Sequence, residues 1–214
     1  LNVAGLLDRR FGPIQQHQQR TLEHKMKSLL LAAALTTSAT FALAADKYTL
    51  DASHSQILFS YSHLGFSTTW GMFSGFEGEI MFDQDNPAAS SVSVSMPTKS
   101  IFTGWEQRYD HFMSEDFFGA TDEDVISFTS TSIEVTGDTM AKITGDLTMN
   151  DVTQSVILDA VLNKADINPM ANVPWTGFDA STTLLRSDFG LGAFAPFVSD
   201  EVALQISIEA MKAE

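Results

Sequence analysis

The chain has no cysteine. That excludes disulfides, thiolate metal sites, thiol nucleophiles and lipid attachment through an N-terminal Cys. Stability has to come from a packed core alone. Basic residues are the second shortage, with 12 Lys and Arg against 27 Asp and Glu. Arg9, Arg10, Arg20, Lys25 and Lys27 lie before residue 45, as do Asp8 and Glu23, which leaves residues 45–214 with a net charge of −18. Such a chain repels nucleic-acid phosphates and anionic lipid head groups. It should stay soluble and monomeric unless a specific patch directs otherwise, which leaves a homodimer open. Long apolar runs are missing too. The run Leu29–Leu35 falls well short of the about 20 residues a membrane-spanning helix needs, so no stable membrane insertion is expected.

What precedes residue 45 has its own grammar. Met26-Lys27-Ser28 leads into Leu29–Leu35, then a small-residue stretch ends Phe41-Ala42-Leu43-Ala44-Ala45. A basic start, a short apolar run and an Ala-x-Ala site are the parts of a secretory signal peptide, so residues 26–44 are expected to be removed after Ala44. The competing reading is a buried helix. Translation is expected to start at Met26, which makes residues 1–25 an upstream extension. Export through such a signal places residues 45–214 in the periplasm as one domain of ordinary size.

Alternation is the dominant pattern from His54 to Met211. Val202, Leu204, Ile206, Ile208 and Ala210 share one face, and Ala203, Gln205, Ser207 and Glu209 the other. A strand has a side-chain period of two, so this is a half-buried strand. Ile143, Gly145, Leu147 and Met149 alternate with polar residues in the same way, as do Val92, Val94 and Met96 with serines. Looser runs surround Ile57–Tyr61, Met72–Phe82, Val125–Val135, Val156–Leu162 and Phe178–Leu184. These eight runs predict an all-β fold, an eight-stranded antiparallel up-and-down barrel of lipocalin-like form. A barrel of about eight strands is filled by side chains or holds one small ligand.

Turn chemistry agrees. Thr136-Gly137-Asp138, Asn150-Asp151 and Asp85-Asn86-Pro87 separate successive runs with residues that tolerate tight turns. The longest gaps are Lys99–Asp124, Asp166–Trp175 and Arg186–Asp200, lengths typical of binding loops or lids. Trp105, Tyr109, Phe112, Met113 and Phe117 recur at helical spacing, which predicts a short helix between strands 3 and 4 that plugs one end or lines a mouth. Ser114-Glu115-Asp116 should end it.

Several segments together resemble the YceI-like family of exported lipocalin-like proteins. They are His63-Leu64-Gly65-Phe66 with Trp70-Gly71-Met72-Phe73; Phe82-Asp83 with Asn86-Pro87; and Arg108-Tyr109-Asp110-His111-Phe112 with Ser114-Glu115-Asp116-Phe117-Phe118. Phe128-Thr129-Ser130-Thr131, Ile143–Thr148, Val152-Thr153, Arg186-Ser187-Asp188-Phe189-Gly190 and Val198–Val202 complete the set. The resemblance implies a periplasmic barrel holding a long polyisoprenoid, either an isoprenoid quinone or a polyprenyl chain. It implies no enzymatic activity and no cofactor beyond that lipid. The family's role is usually described as carriage, storage or stress protection. Three positions depart from the family pattern. Thr121-Asp122-Glu123-Asp124 stands where Tyr-Pro is common, Asp151 where Gly is common and Ser155 where Pro is usual. All three read as loop positions.

An isoprenoid tail requires an apolar lumen free of unpaired polar groups. Alternation offers Ile57, Phe59, Phe76, Ile80, Phe82, Val94, Leu147, Leu158, Phe178, Leu204 and Ile206 as wall residues. Phe66, Trp70, Phe112, Phe117, Phe128 and Phe189, from the segments that carry the resemblance, join them. His63, Arg108, His111 and Arg186 are the head-group candidates. Asp110 and Asp188 stand two residues beyond the arginines, and ion pairing there would leave a neutral head group favoured. An enzyme acting on a bound lipid is the first rival reading. No G-x-S-x-G occurs, and His54, His63 and His111 match no metal-ligand spacing. His54 and His63, nine residues apart, would face opposite ways on one strand. A barrel used only as a protein-binding scaffold is the second rival, and a tetrapyrrole-binding barrel a third.

Overall fold

In the computed structural model, which describes residues 45–214, ten β-strands make one antiparallel sheet that closes on itself. The expected upstream extension and signal peptide lie outside the described residues. The strands are β1 (Asp46–Leu50), β2 (Gln56–His63), β3 (Ser67–Phe73), β4 (Glu77–Phe82) and β5 (Ser91–Pro97). Then follow α1 (Glu106–Phe112), β6 (Val125–Val135), β7 (Met140–Met149), β8 (Val152–Ile167), β9 (Pro174–Leu185) and β10 (Glu201–Lys212).

The ten strands fill eight positions around the ring. β1 and β2 share one position, because each pairs with a different part of β10: Leu50 lies opposite Ala210, and Phe59 opposite Leu204. β3 and β4 share the next, β3 on β2 and β4 on β1. From there β5 to β10 follow in chain order, and β10 returns to β1. The fold is thus the eight-stranded up-and-down barrel, with its helix between the third and fourth positions.

Alternation sets which face is inward. Leu204 and Ile206 of β10 turn into the lumen while Gln205 is exposed. Three expectations need correction. β1 carries only Tyr48 and Leu50 as buried residues, too few to register as a period, and the alternation from His54 onward does not include it. The long gap Asp166–Trp175 shrinks to residues 168–173, because β8 runs on to Ile167 past a register shift between Leu162 and Lys164. Ser155 lies inside β8 opposite Asp146, not in a loop. Asp151, by contrast, is a turn residue: Asn150 and Asp151 both take left-handed backbone, at φ 53° and 58°.

The connections sort by end. The 83–90, 136–139 and 168–173 turns lie at one end, here the lower; the β2–β3 tip, α1 and the 186–200 connection lie at the upper end. Near the lower end, Phe82 meets Tyr48 and Phe178 edge-on, with ring centroids 6.0 and 5.5 Å apart. Among the described residues no helix is long and apolar enough to cross a membrane.

Candidate functional site

The barrel is hollow. A cavity of about 920 Å³ occupies its upper part and one of about 190 Å³ its lower part. Ile57, Leu147 and Leu204 line both and form a waist between them. Phe59, Phe112 and Phe117 wall the upper cavity. Phe76, Ile80, Phe82, Val94, Phe128, Leu158, Phe178 and Ile206 wall the lower. The polar residues bordering the upper cavity gather towards the mouth, among them His63, Ser67, Thr69, Gln107, Arg108 and His111.

Three expected wall residues are elsewhere. Phe66 is 90% exposed at the β2–β3 tip. Trp70 is 54% exposed, because its neighbours Thr69 and Gly71 share the inward parity of β3. Phe189 is fully buried, but in the packed core under the 186–189 turn, where Asn150 donates a hydrogen bond to its carbonyl at 2.9 Å. Conversely, Met96, Ile101, Ile126, Leu184 and Leu191 line the upper cavity. The alternation of β5, β6 and β9 carries the signal for Met96, Ile126 and Leu184. Ile101 and Leu191 sit in connections, where periodicity says nothing.

The four polar candidates all border the upper cavity. Arg186 is buried, and its guanidinium is committed to backbone. Nε donates to the Ser199 carbonyl at 2.9 Å, one terminal nitrogen to the Val198 carbonyl at 2.9 Å, and the other to the Leu191 carbonyl. Burial pushes this guanidinium down from its usual range, against the opposing pull of Asp200 and Tyr61. The expected pairing with Asp188 does not form. Asp188 is bypassed because Arg186 turns under the 190–199 loop and closes it. Arg108 likewise passes Asp110 by; it donates to the Thr103 carbonyl at 2.9 Å and lies over the Trp105 ring at 5.7 Å. His111 stacks edge-on against Phe117 and Phe194 and has Asp116 at 3.6 Å. His63 ends β2 beside the Val198 bridge. The two arginines therefore do not form a shared phosphate fork.

Histidine placement also differs from expectation. His54 lies ahead of β2, in the turn after β1, and Nδ1 meets the Asp51 carboxylate at 2.6 Å. Glu209 brings a third oxygen near. Ser53 and His54 hold the Asp51 carboxyl below its usual range, and Asp51 raises His54. These groups satisfy one another and the turn they close.

The barrel is thus hollow and closed, with an apolar wall and a mouth where polar and exposed apolar side chains meet. Residues 48–210 match the YceI-like domain model. The chain belongs to the YceI-like family. A UPF0312 protein of Ectopseudomonas mendocina is 37% identical over 193 residues, covering 89% of this chain and 99% of the relative. Among solved structures, BcnA of Burkholderia cenocepacia superposes with a TM-score of 0.67 at 21% identity, covering 75% of this chain and 98% of its own. A polyisoprenoid binding domain from Saccharophagus degradans superposes with a TM-score of 0.61 at 13% identity, covering 78% and 98%. At these identities the two structures establish the YceI-like barrel as a shared fold.

Proposed function

We propose that this protein is a periplasmic carrier that holds one linear polyisoprenoid lipid, an isoprenoid quinone or a polyprenyl chain, non-covalently in its lumen. The observation that carries the reading is the cavity of about 920 Å³ walled by apolar side chains inside a closed barrel. Such a space solvates a hydrocarbon tail and offers little else to a ligand. The Saccharophagus domain, described as polyisoprenoid binding, has the same fold. The Met26–Ala45 pattern supports export. The mechanism is sequestration, with the wall taking the tail and the mouth taking the head. Arg186 gives three of its five N–H donors to carbonyls and forms no fork with Arg108, so a neutral head group such as a quinone fits the mouth better than a pyrophosphate. About 40 tail carbons at roughly 0.3 kcal/mol per atom give on the order of 12 kcal/mol, a nanomolar complex that survives purification.

Native mass spectrometry of the protein from a Gram-negative host, followed by solvent extraction, tests this. A stoichiometric added mass that extracts as a polyprenyl species is expected. An apo mass that takes up no added prenyl quinone would instead favour the scaffold reading.

A further inference from the structure

The upper rim is unusually apolar for a surface. Leu64, Trp105, Phe194 and Phe197 all line the cavity, yet they are 49%, 58%, 54% and 74% exposed. Phe66, 90% exposed, stands beside them without touching the lumen, its amide bonded to the His63 carbonyl. The pieces form one surface. The Leu64 amide donates to the Phe197 carbonyl at 3.0 Å, and Phe194 packs on His111 and Phe117 across the mouth. Exposed apolar groups gathered in one place mark an interaction site.

Backbone conformation sharpens the point. Five non-glycine residues among those described take positive φ. Asn150, Asp151 and Asn172 are of the kinds that tolerate it, but the other two are Leu64 at 54° and Phe194 at 64°. A leucine or phenylalanine there costs backbone energy that Asn or Gly would avoid. Both exceptions stand on the rim, where a local rule broken in favour of an apolar side chain points to a function.

We propose that this rim seats on the head-group region of a zwitterionic lipid bilayer, so that the barrel exchanges its chain with the mouth held against the membrane. The proposal rests on the carrier reading, since the cavity and the rim are one continuous surface and the tail would pass from lipid to lumen without crossing water. Charge selects the bilayer. Arg108, stacked on Trp105, forms no ion pair among the described residues and is placed to meet a lipid phosphate. Tryptophan with a neighbouring cation suits the interfacial zone of a membrane. Exposed Glu106, Asp110, Glu115 and Asp116 around α1, with the net charge of −18, repel an anionic surface.

Cosedimentation with phosphatidylcholine vesicles tests the seat, and native mass spectrometry of the same samples reads the lumen separately. Phe66→Ser removes a rim side chain that touches no cavity, and Met170→Ser removes an equally exposed one, 94%, at the lower end. The wild type is expected to bind vesicles, Phe66→Ser to bind about tenfold more weakly, and Met170→Ser to bind as the wild type does. Lipid occupancy should be equal in all three. An occupied barrel that ignores vesicles, or that binds them equally well with Phe66→Ser, would overturn the proposal and leave carriage standing. An empty barrel that still binds through Phe66 would support the seat and overturn carriage. A rim-dependent dimer in sedimentation velocity, with no vesicle binding, would assign the surface to a second copy instead.

Discussion

The ring of Phe59 lies directly over Gly71 on the neighbouring strand, in the space that a side chain at position 71 would need. The same device recurs between Phe128 and Gly145. A glycine in a strand is a weakness that an aromatic neighbour can cover, and here the covering ring is also cavity wall. Gly71→Ala therefore drives Phe59 inward. We expect a loss of about 1–3 kcal/mol in urea unfolding, together with weaker uptake of prenyl quinone. Unchanged stability and uptake would mean that the ring moves aside without consequence.

The waist sets how far a tail can reach. Leu204 of β10 lines both cavities together with Ile57 of the adjoining β2 and Leu147 of β7. Leu204→Ala opens the partition at a stability cost of about 2–4 kcal/mol, and the longest prenyl chain retained should lengthen. Leu204→Phe should shorten it. Extracted lipid from each variant, compared by mass, reads the limit directly; identical chain-length profiles would refute the waist.

Arg186 closes the 190–199 loop from beneath. Replacing it by Met keeps the bulk but strands the Leu191, Val198 and Ser199 carbonyls. At about 1 kcal/mol for each lost partner, destabilisation of about 3 kcal/mol is expected. Hydrogen exchange should rise in the loop before it rises in β7. Arg186→Lys restores at most part of this, because an ammonium cannot fork to three carbonyls.

The Asp51–His54 contact should titrate. His54 is raised by its hydrogen bond to Asp51, and Asp51 is lowered by Ser53 and His54. The raised imidazole favours the fold fully below its ordinary value of about 6.5 and loses that contribution as pH rises through its folded value. The lowered carboxyl favours the fold above its ordinary value of about 3.9 and loses it as pH falls. The turn is therefore tightest between these limits. Proton NMR should place His54 above the ordinary imidazole range, and Asp51→Asn should return it there.

Legibility in the sequence followed the number of consecutive positions that share a face. β5, β7 and β10 alternate over long stretches, and their inward residues, including Val94, Leu147 and Leu204, do stand on the lumen wall. β1 offers too few positions to show a period, and it escapes notice although Tyr48 is core. Phe66 and Trp70 show how parity decides. A shift of one residue along β3 exchanges Trp70 for Gly71, and a motif of aromatic residues carries no statement of which face each one takes. Arg186 failed differently. Nearness in sequence suggested Asp188, but the guanidinium found carbonyls that only the folded 190–199 loop supplies.

The ring is sealed where β1 lies along the far half of β10. β1 has β4 on one side but finds its other partner only in β10, so the sheet stays an open ribbon, with that edge bare, until the final strand has left the ribosome. Contacts of such long sequence separation form slowly. A chain built this way cannot close its barrel during its own synthesis, and anything that must pass it through a narrow pore has that interval in which to act.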